Sequence, residues 1–169
     1  MRAKRANFIS TPGSVVKQRP SAQPERPADN ILALVHVFSN LIGQAFYGPI
    51  QARHHLSVQH WRILLTLAHH NGATAAEIIA RWALQPMSVS RAIRELEQRG
   101  LIIRRIGPND RRSQNLFLTR KGRRVYDTVV PDANARYHDI VDCLAPAVRA
   151  RLARTLVVLI ASAKRLLPR

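Results

Sequence analysis

Apolar residues recur at intervals of three and four along most of this chain, and the pattern breaks at a few well-marked points. Ile31, Leu34, Val35, Phe38, Leu41, Ile42, Ala45 and Phe46 share one helical face. The spacing predicts an amphipathic helix capped by Asp29 or Asn30 and stopped at Gly48-Pro49. A short basic segment with His54 and His55 follows, and Ser57 opens a second helix that turns Val58, Trp61, Leu64, Leu65 and Ala68 inward and ends at Asn71-Gly72. Thr74-Ala75-Ala76-Glu77 has capping-box spacing, in which hydroxyl and carboxylate satisfy amides left free at a helix start. A third helix therefore runs over about 74–84. Pro86 is tolerated in a first helical turn, where its missing N–H has no intrahelical partner, and Gly100 is a C-terminal stop, so a fourth helix covers 86–99.

Beyond Gly100 the period changes. Leu101 to Ile106 and Gln114 to Leu118 read as two short strands around Gly107-Pro108-Asn109-Asp110, which is turn chemistry, with Arg111 and Arg112 at the hairpin tip. Thr119 can cap a long helix carrying Val125, Val129, Ala133, Tyr137, Ile140, Val141 and Leu144. Pro131 should kink that helix without ending it, because the spacing stays in phase on its far side. The last helix begins at Pro146. Val148, Leu152, Leu156, Leu159, Ala163 and Leu166 form one stripe, widened by Val157, Ile160 and Leu167. Helix, turn, helix and basic hairpin in this order make a winged helix-turn-helix. The fold class is mainly α with a small β-hairpin wing. Trp61 is expected in the core and Trp82 at least partly buried.

In the helix over 86–99, Val89, Ala92, Ile93 and Leu96 face inward, which leaves Met87, Ser88, Ser90, Arg91 and Arg94 outward. Short hydroxyls and long guanidiniums on one helical face suit base edges and phosphates in a major groove. Arg111 and Arg112 are placed for a minor groove or its phosphates, and Arg104 or Arg105 for phosphates. Charge agrees with this. The 169 residues hold 27 Lys and Arg against 10 Asp and Glu, a formal net charge of +17, which favours a polyanionic partner but does not identify one.

Ser88-Val89-Ser90-Arg91, Leu96-Glu97, Gly100-Leu101, Asp110-Arg111-Arg112-Ser113 and Leu118-Thr119 together resemble the MarR family of bacterial dimeric transcription regulators. The resemblance covers the chain from about Asn30 and is strongest between Trp61 and Gly122. It implies that Ser88, Ser90, Arg91 and Arg94 lie on a recognition helix, that Arg111 and Arg112 lie on the wing, and that Asp110 orients a wing arginine. Three positions depart from the family. Ala83 stands where glycine is common, Pro86 and Met87 where polar residues are, and Phe117 where a small or polar residue is. The implied organisation is a basic arm over 1–29 and a domain over 30–169. Within that domain a winged core spans 57–119, flanked by dimerisation helices at 30–53 and 120–168. The implied function is a ligand-responsive repressor that reads a pseudo-palindromic operator in double-stranded DNA as a homodimer. A pocket for a small anionic or phenolic effector is also implied, and Phe38, Ile42, Phe46, Tyr47 and Trp61 could line it.

Other chemistry carries less. The arm either adds phosphate contacts through Arg2, Lys4, Arg5, Lys17 and Arg19 or is an extension without function, and deletion of residues 1–28 distinguishes the two. The histidines at 54, 55, 60, 69 and 70 lack the spacing of a metal site and are expected to be solvated or capping, so no metal or cofactor is called for. Cys143, beside Ile140 and Leu144, is expected to be a buried structural thiol. No glycine-rich phosphate loop, serine nucleophile motif or carboxylate pair suggests an enzyme. One cysteine and no run of about eighteen apolar residues suggest a cytoplasmic protein without a membrane span, and the resemblance adds a bacterial, nucleoid-associated setting. The alternative function is an architectural nucleoid protein that coats DNA without sequence preference, for which the charge alone would suffice.

Overall fold

The structure, a computed structural model, describes residues 30–106 and 114–167. The chain divides between Val37 and Phe38 into two units. Helix α1 spans Ile31–Ile42 and α2 Gly48–His54, followed by α3 (Val58–His69), α4 (Ala75–Trp82) and α5 (Pro86–Gln98). Strands β1 (Ile102–Ile106) and β2 (Gln114–Leu118) precede α6 (Arg120–Val141) and α7 (Pro146–Arg165).

The expected stop at Gly48-Pro49 does not occur. The backbone turns through a π-helical segment at Gly43–Tyr47 and resumes as α2 with Pro49 in its first turn, the place in a helix where a missing N–H is best tolerated. The run ends instead at His55, which caps α2 in the left-handed region at φ 52°. The helical run Ile31–His54 contains an 18-residue window of mean hydropathy 1.4, long and apolar enough by length and composition to cross a membrane.

The caps follow the sequence closely. Asn30 Oδ1 accepts from the N–H groups of Leu32 and Ala33, Ser57 Oγ from His60 N–H, Thr74 Oγ1 from Glu77 N–H and Thr119 Oγ1 from Gly122 N–H. The carboxylate of Glu77 returns to Thr74 N–H at 2.7 Å and completes its capping box, a contact that holds Glu77 below the usual carboxylate range. Helix α6 continues through Pro131 to Val141.

The strands pair antiparallel, with Ile102 opposite Leu118 and Ile106 opposite Gln114. The loop before α4 joins them. Gly72 N–H donates to the Leu116 carbonyl at 2.9 Å, Leu116 N–H donates to the Ala73 carbonyl at 3.0 Å, and Thr74 bridges to Asn115. Ile63, Leu64, Leu67, Ile78, Val89 and Leu96 are completely buried, and Trp61 stacks on Tyr126 with ring centroids 5.5 Å apart. The start of α6 seals this core from below. Gly122 lies so close to the Leu101 carbonyl that a Cβ has no room there, which is why only glycine fits.

Helix α7 has no buried residue, and Val157, Val158 and Ile160 are more than half exposed. Cys143 at the α6–α7 corner is likewise exposed, its thiol 3.4 Å from the Ile140 carbonyl, so the expectation of a buried thiol is wrong for the single chain. The apolar neighbours that should cover it line an open groove.

Candidate nucleic-acid interface

A three-residue turn sets the angle between α4 and α5. Ala83 closes α4 in the left-handed region at φ 49°, and Leu84 N–H donates back to the Ile79 carbonyl. A left-handed residue without glycine's freedom is strained, which explains physically why glycine would be usual here. Gln85 then adopts extended backbone, and Pro86 starts α5 with no side-chain cap.

The faces of α5 separate as the spacing predicts. Val89, Ala92, Ile93 and Leu96 are buried, while Met87, Ser88, Ser90, Arg91 and Arg94 are exposed, Met87 by 78%. Arg104 and Arg105 are exposed on β1. Arg104 Nε donates to Glu97 Oε1 at 2.8 Å and its Nη1 to Gln114 Oε1 at 3.0 Å, whereas the Arg105 guanidinium lies 5.5 Å from the centre of the Phe117 ring. Phe117 in turn packs against Gly72, which sits at φ +98°. Asp110, Arg111 and Arg112 fall outside the described residues, as does the arm over 1–29.

Glu95, which the sequence reading did not single out, and His60, which it expected to be solvated or capping, join this surface to the core. Glu95 accepts from Arg91 Nε at 2.9 Å through Oε1 and meets His60 Nε2 at 2.8 Å through Oε2. His60 is buried, and its Nδ1 accepts from Ser57 N–H at 3.2 Å. That bond requires an unprotonated Nδ1, so the ring hydrogen sits on Nε2 and donates to Glu95. Burial pulls the His60 pKa below the ordinary 6.5 despite the neighbouring carboxylate, and the hydrogen bond from Arg91 keeps Glu95 below the usual carboxylate range. The signals were present in the sequence as an Arg91–Glu95 i,i+4 pair and as Ser57 three residues before His60.

The five residues considered for an effector pocket part company. Phe38 lines an apolar groove of about 440 Å³ with Tyr137, Ile140, Cys143, Leu152 and Leu156. Ile42 is half-buried. Phe46 and Tyr47 meet edge to face at 4.8 Å and pack on the edge of the core. Trp61 is inside the core, committed to Tyr126, so it does not line the groove with Phe38. Beside them the Arg62 guanidinium lies over the rings of both Tyr47 and Trp82, at 5.5 and 5.3 Å, and its buried Nε has no hydrogen-bond partner among the described residues. Trp82 is partly buried and donates from Nε1 to Thr66 Oγ1.

Besides His60, two further histidines pair with carboxylates. His54 bonds Asp132 at 2.8 Å and His138 bonds Asp142, and among the described residues no three His, Cys, Asp or Glu side chains gather as a metal site. Asp132 also takes two bonds from Arg53. His54 and then Arg53 hold its carboxyl below the usual range.

Comparison with known proteins places this geometry. The MarR family model matches residues 54–113. The HTH-type transcriptional regulator FarR of Neisseria gonorrhoeae is 32% identical over 100 residues, which cover 58% of this chain and 67% of that protein. The homoprotocatechuate degradative operon repressor of Escherichia coli is 27% identical over 96 residues, covering 57% of this chain and 65% of the relative, just under two thirds of its length. The crystal structure of CouR from Rhodococcus jostii bound to p-coumaroyl-CoA shares the fold, with a TM-score of 0.71 at 23% identity over 79% of this chain and 93% of that one.

Proposed function

The chain belongs to the MarR family of winged helix-turn-helix transcription regulators, and on that premise we propose that it is a ligand-responsive repressor binding double-stranded DNA as a homodimer at a pseudo-palindromic operator. The observation that carries this reading is the sidedness of α5. Four buried apolar residues fix its inner face, so the orientation of Met87, Ser88, Ser90, Arg91 and Arg94 is set by packing and not by chance exposure. Each recognition helix reads a half-site through these side chains, Arg104 or Arg105 meets phosphates, Arg111 and Arg112 serve the flanking minor groove, and the role of Asp110 is to orient a wing arginine.

Uncovered apolar faces support the dimer. A helix of twenty residues with none fully buried draws little stability from tertiary packing inside one chain, and a second copy related by two-fold symmetry would supply the missing surface. The same partner, and not a bilayer, covers the apolar run of α1, in a protein that works in the cytoplasm on the nucleoid. The effector is a small anionic or phenolic molecule. Supporting this, the Escherichia coli relative represses a homoprotocatechuate degradative operon, and the Rhodococcus structure holds p-coumaroyl-CoA; both compounds are phenolic.

Selection from a random duplex library at two salt concentrations tests the reading. The expected result is an inverted repeat with half-sites about one helical turn apart. Arg91→Ala then relaxes one position by about 1–3 kcal/mol, whereas Arg112→Ala weakens all sequences alike. No enriched motif, with binding lost as salt rises, would favour the architectural alternative that the net charge of +17 also accommodates.

A further inference from the structure

The chain has 10 acidic residues against 27 basic ones, yet α5 carries two of them, Glu95 and Glu97. A carboxylate on a surface that meets phosphates opposes binding, and an exposed i,i+4 ion pair adds little to stability. Arg91 is 79% exposed, so its bond to Glu95 contributes geometry more than folding energy. The geometry has a definite sense. Ser57 N–H donates to His60 Nδ1, His60 Nε2–H donates to Glu95 Oε2, and Arg91 Nε–H donates to Glu95 Oε1. The His60 ring is held in this orientation, because its Nδ1 accepts from Ser57 N–H and the ring is buried. A rigid element of the core therefore fixes the carboxylate, and the carboxylate fixes the arginine.

Arg91 spends its Nε on Glu95, and among the described residues its two terminal nitrogens have no hydrogen-bond partner, which leaves them for an outside one in the fork that matches guanine O6 and N7. Without that anchor the side chain has room to wander. A shallow cleft of about 290 Å³, lined by Ser57, Gln59, Ser88, Arg91, Ala92 and Glu95, lies beside it. We propose that Glu95, held by His60, is a positioning residue that aims Arg91 at one guanine in each half-site and so sets specificity at the expense of general affinity. This rests on the reading that Arg91 meets base edges.

The test uses the full chain, the inverted repeat it selects, that repeat with each pair changed in turn, and a scrambled duplex. Glu95→Ala is expected to lose roughly tenfold of the preference for guanine at one pair per half-site. It binds the scrambled duplex at least as tightly, because a negative charge has gone. Glu95→Gln keeps one acceptor and the side-chain volume, so it falls between the two, and it serves if the alanine variant does not fold. Equal weakening by Glu95→Ala on every duplex marks a merely structural role and overturns the proposal. If Arg91→Ala flattens a position that Glu95→Ala leaves intact, the positioning role fails while base reading stands. If Arg91→Ala flattens none, base reading fails and positioning fails with it.

Discussion

Ile63, Leu64, Ile78 and Leu96 of the winged core lose all their exposure to neighbours in the same chain, whereas Val157, Val158 and Ile160 of α7 keep more than half of theirs. Both sets are aliphatic and both recur with helical spacing, so composition does not separate them. What separates them is the supply of partners. In the core, α3, α5, the hairpin and the start of α6 each bring an apolar face to the same point, and tight turns at Ala83 and Gly100 hold those faces together. Along α7 no comparable covering face is found among the described residues. Sequence periodicity thus reports which side of a helix is apolar, and the number of neighbouring faces decides whether that side is covered.

The contrast breaks most visibly if the exposed stripe is made polar. Leu152→Glu combined with Leu159→Glu should leave the helical content of the chain unchanged, since neither residue is in the core. It should nevertheless lower affinity for the inverted repeat on the order of 100-fold or more, because two apolar side chains per copy lose about 1.5–3 kcal/mol of burial each at the dimer interface. Titration of the repeat with the double variant measures this, and unchanged affinity would mean that the stripe has no partner.

A mutation in the closed region should act in the opposite manner. Gly122→Ala sets a methyl group against the Leu101 carbonyl, a backbone atom that cannot swing aside, and should cost about 3 kcal/mol of folding stability. Denaturant unfolding of the variant reads that loss directly. A stability equal to the unmodified chain would show that the base of α6 is not the tight seam described above.

The smallest effect sharpens the picture at the turn. Ala83→Gly removes the left-handed strain of an alanine at φ 49°, partly offset by the greater freedom of glycine in the unfolded chain, for a net gain of about 0.5–1 kcal/mol. A higher midpoint in the same unfolding measurement is the expected outcome. A lower one would place the turn in another conformation.

Much of this arrangement is legible in the residues because its signals are local. Thr74-Ala75-Ala76-Glu77, Ser57, Thr119, Pro86 and Gly100 each act within one helical turn, and the starts and stops they mark appear at those positions. Gly48-Pro49 misled because the residues before it adopt a π-helical turn, whose shift of register lets a proline fall at the start of a new helix. Cys143 misled for a different reason. Its apolar neighbours in sequence lie along an open groove, and periodicity does not tell a covered face from an uncovered one. The link from His60 to Glu95 spans 35 positions, so only the packing of α3 on α5 reveals it. The α5 surface was legible in its outward residues and hidden in the residues that hold them.

The most direct test of the central claim is the mass of the full chain in solution, measured by sedimentation at micromolar concentration without DNA. A particle of twice the chain mass is expected, since a second copy would cover the exposed stripe of α7. A monomer that remains folded at that concentration would contradict it.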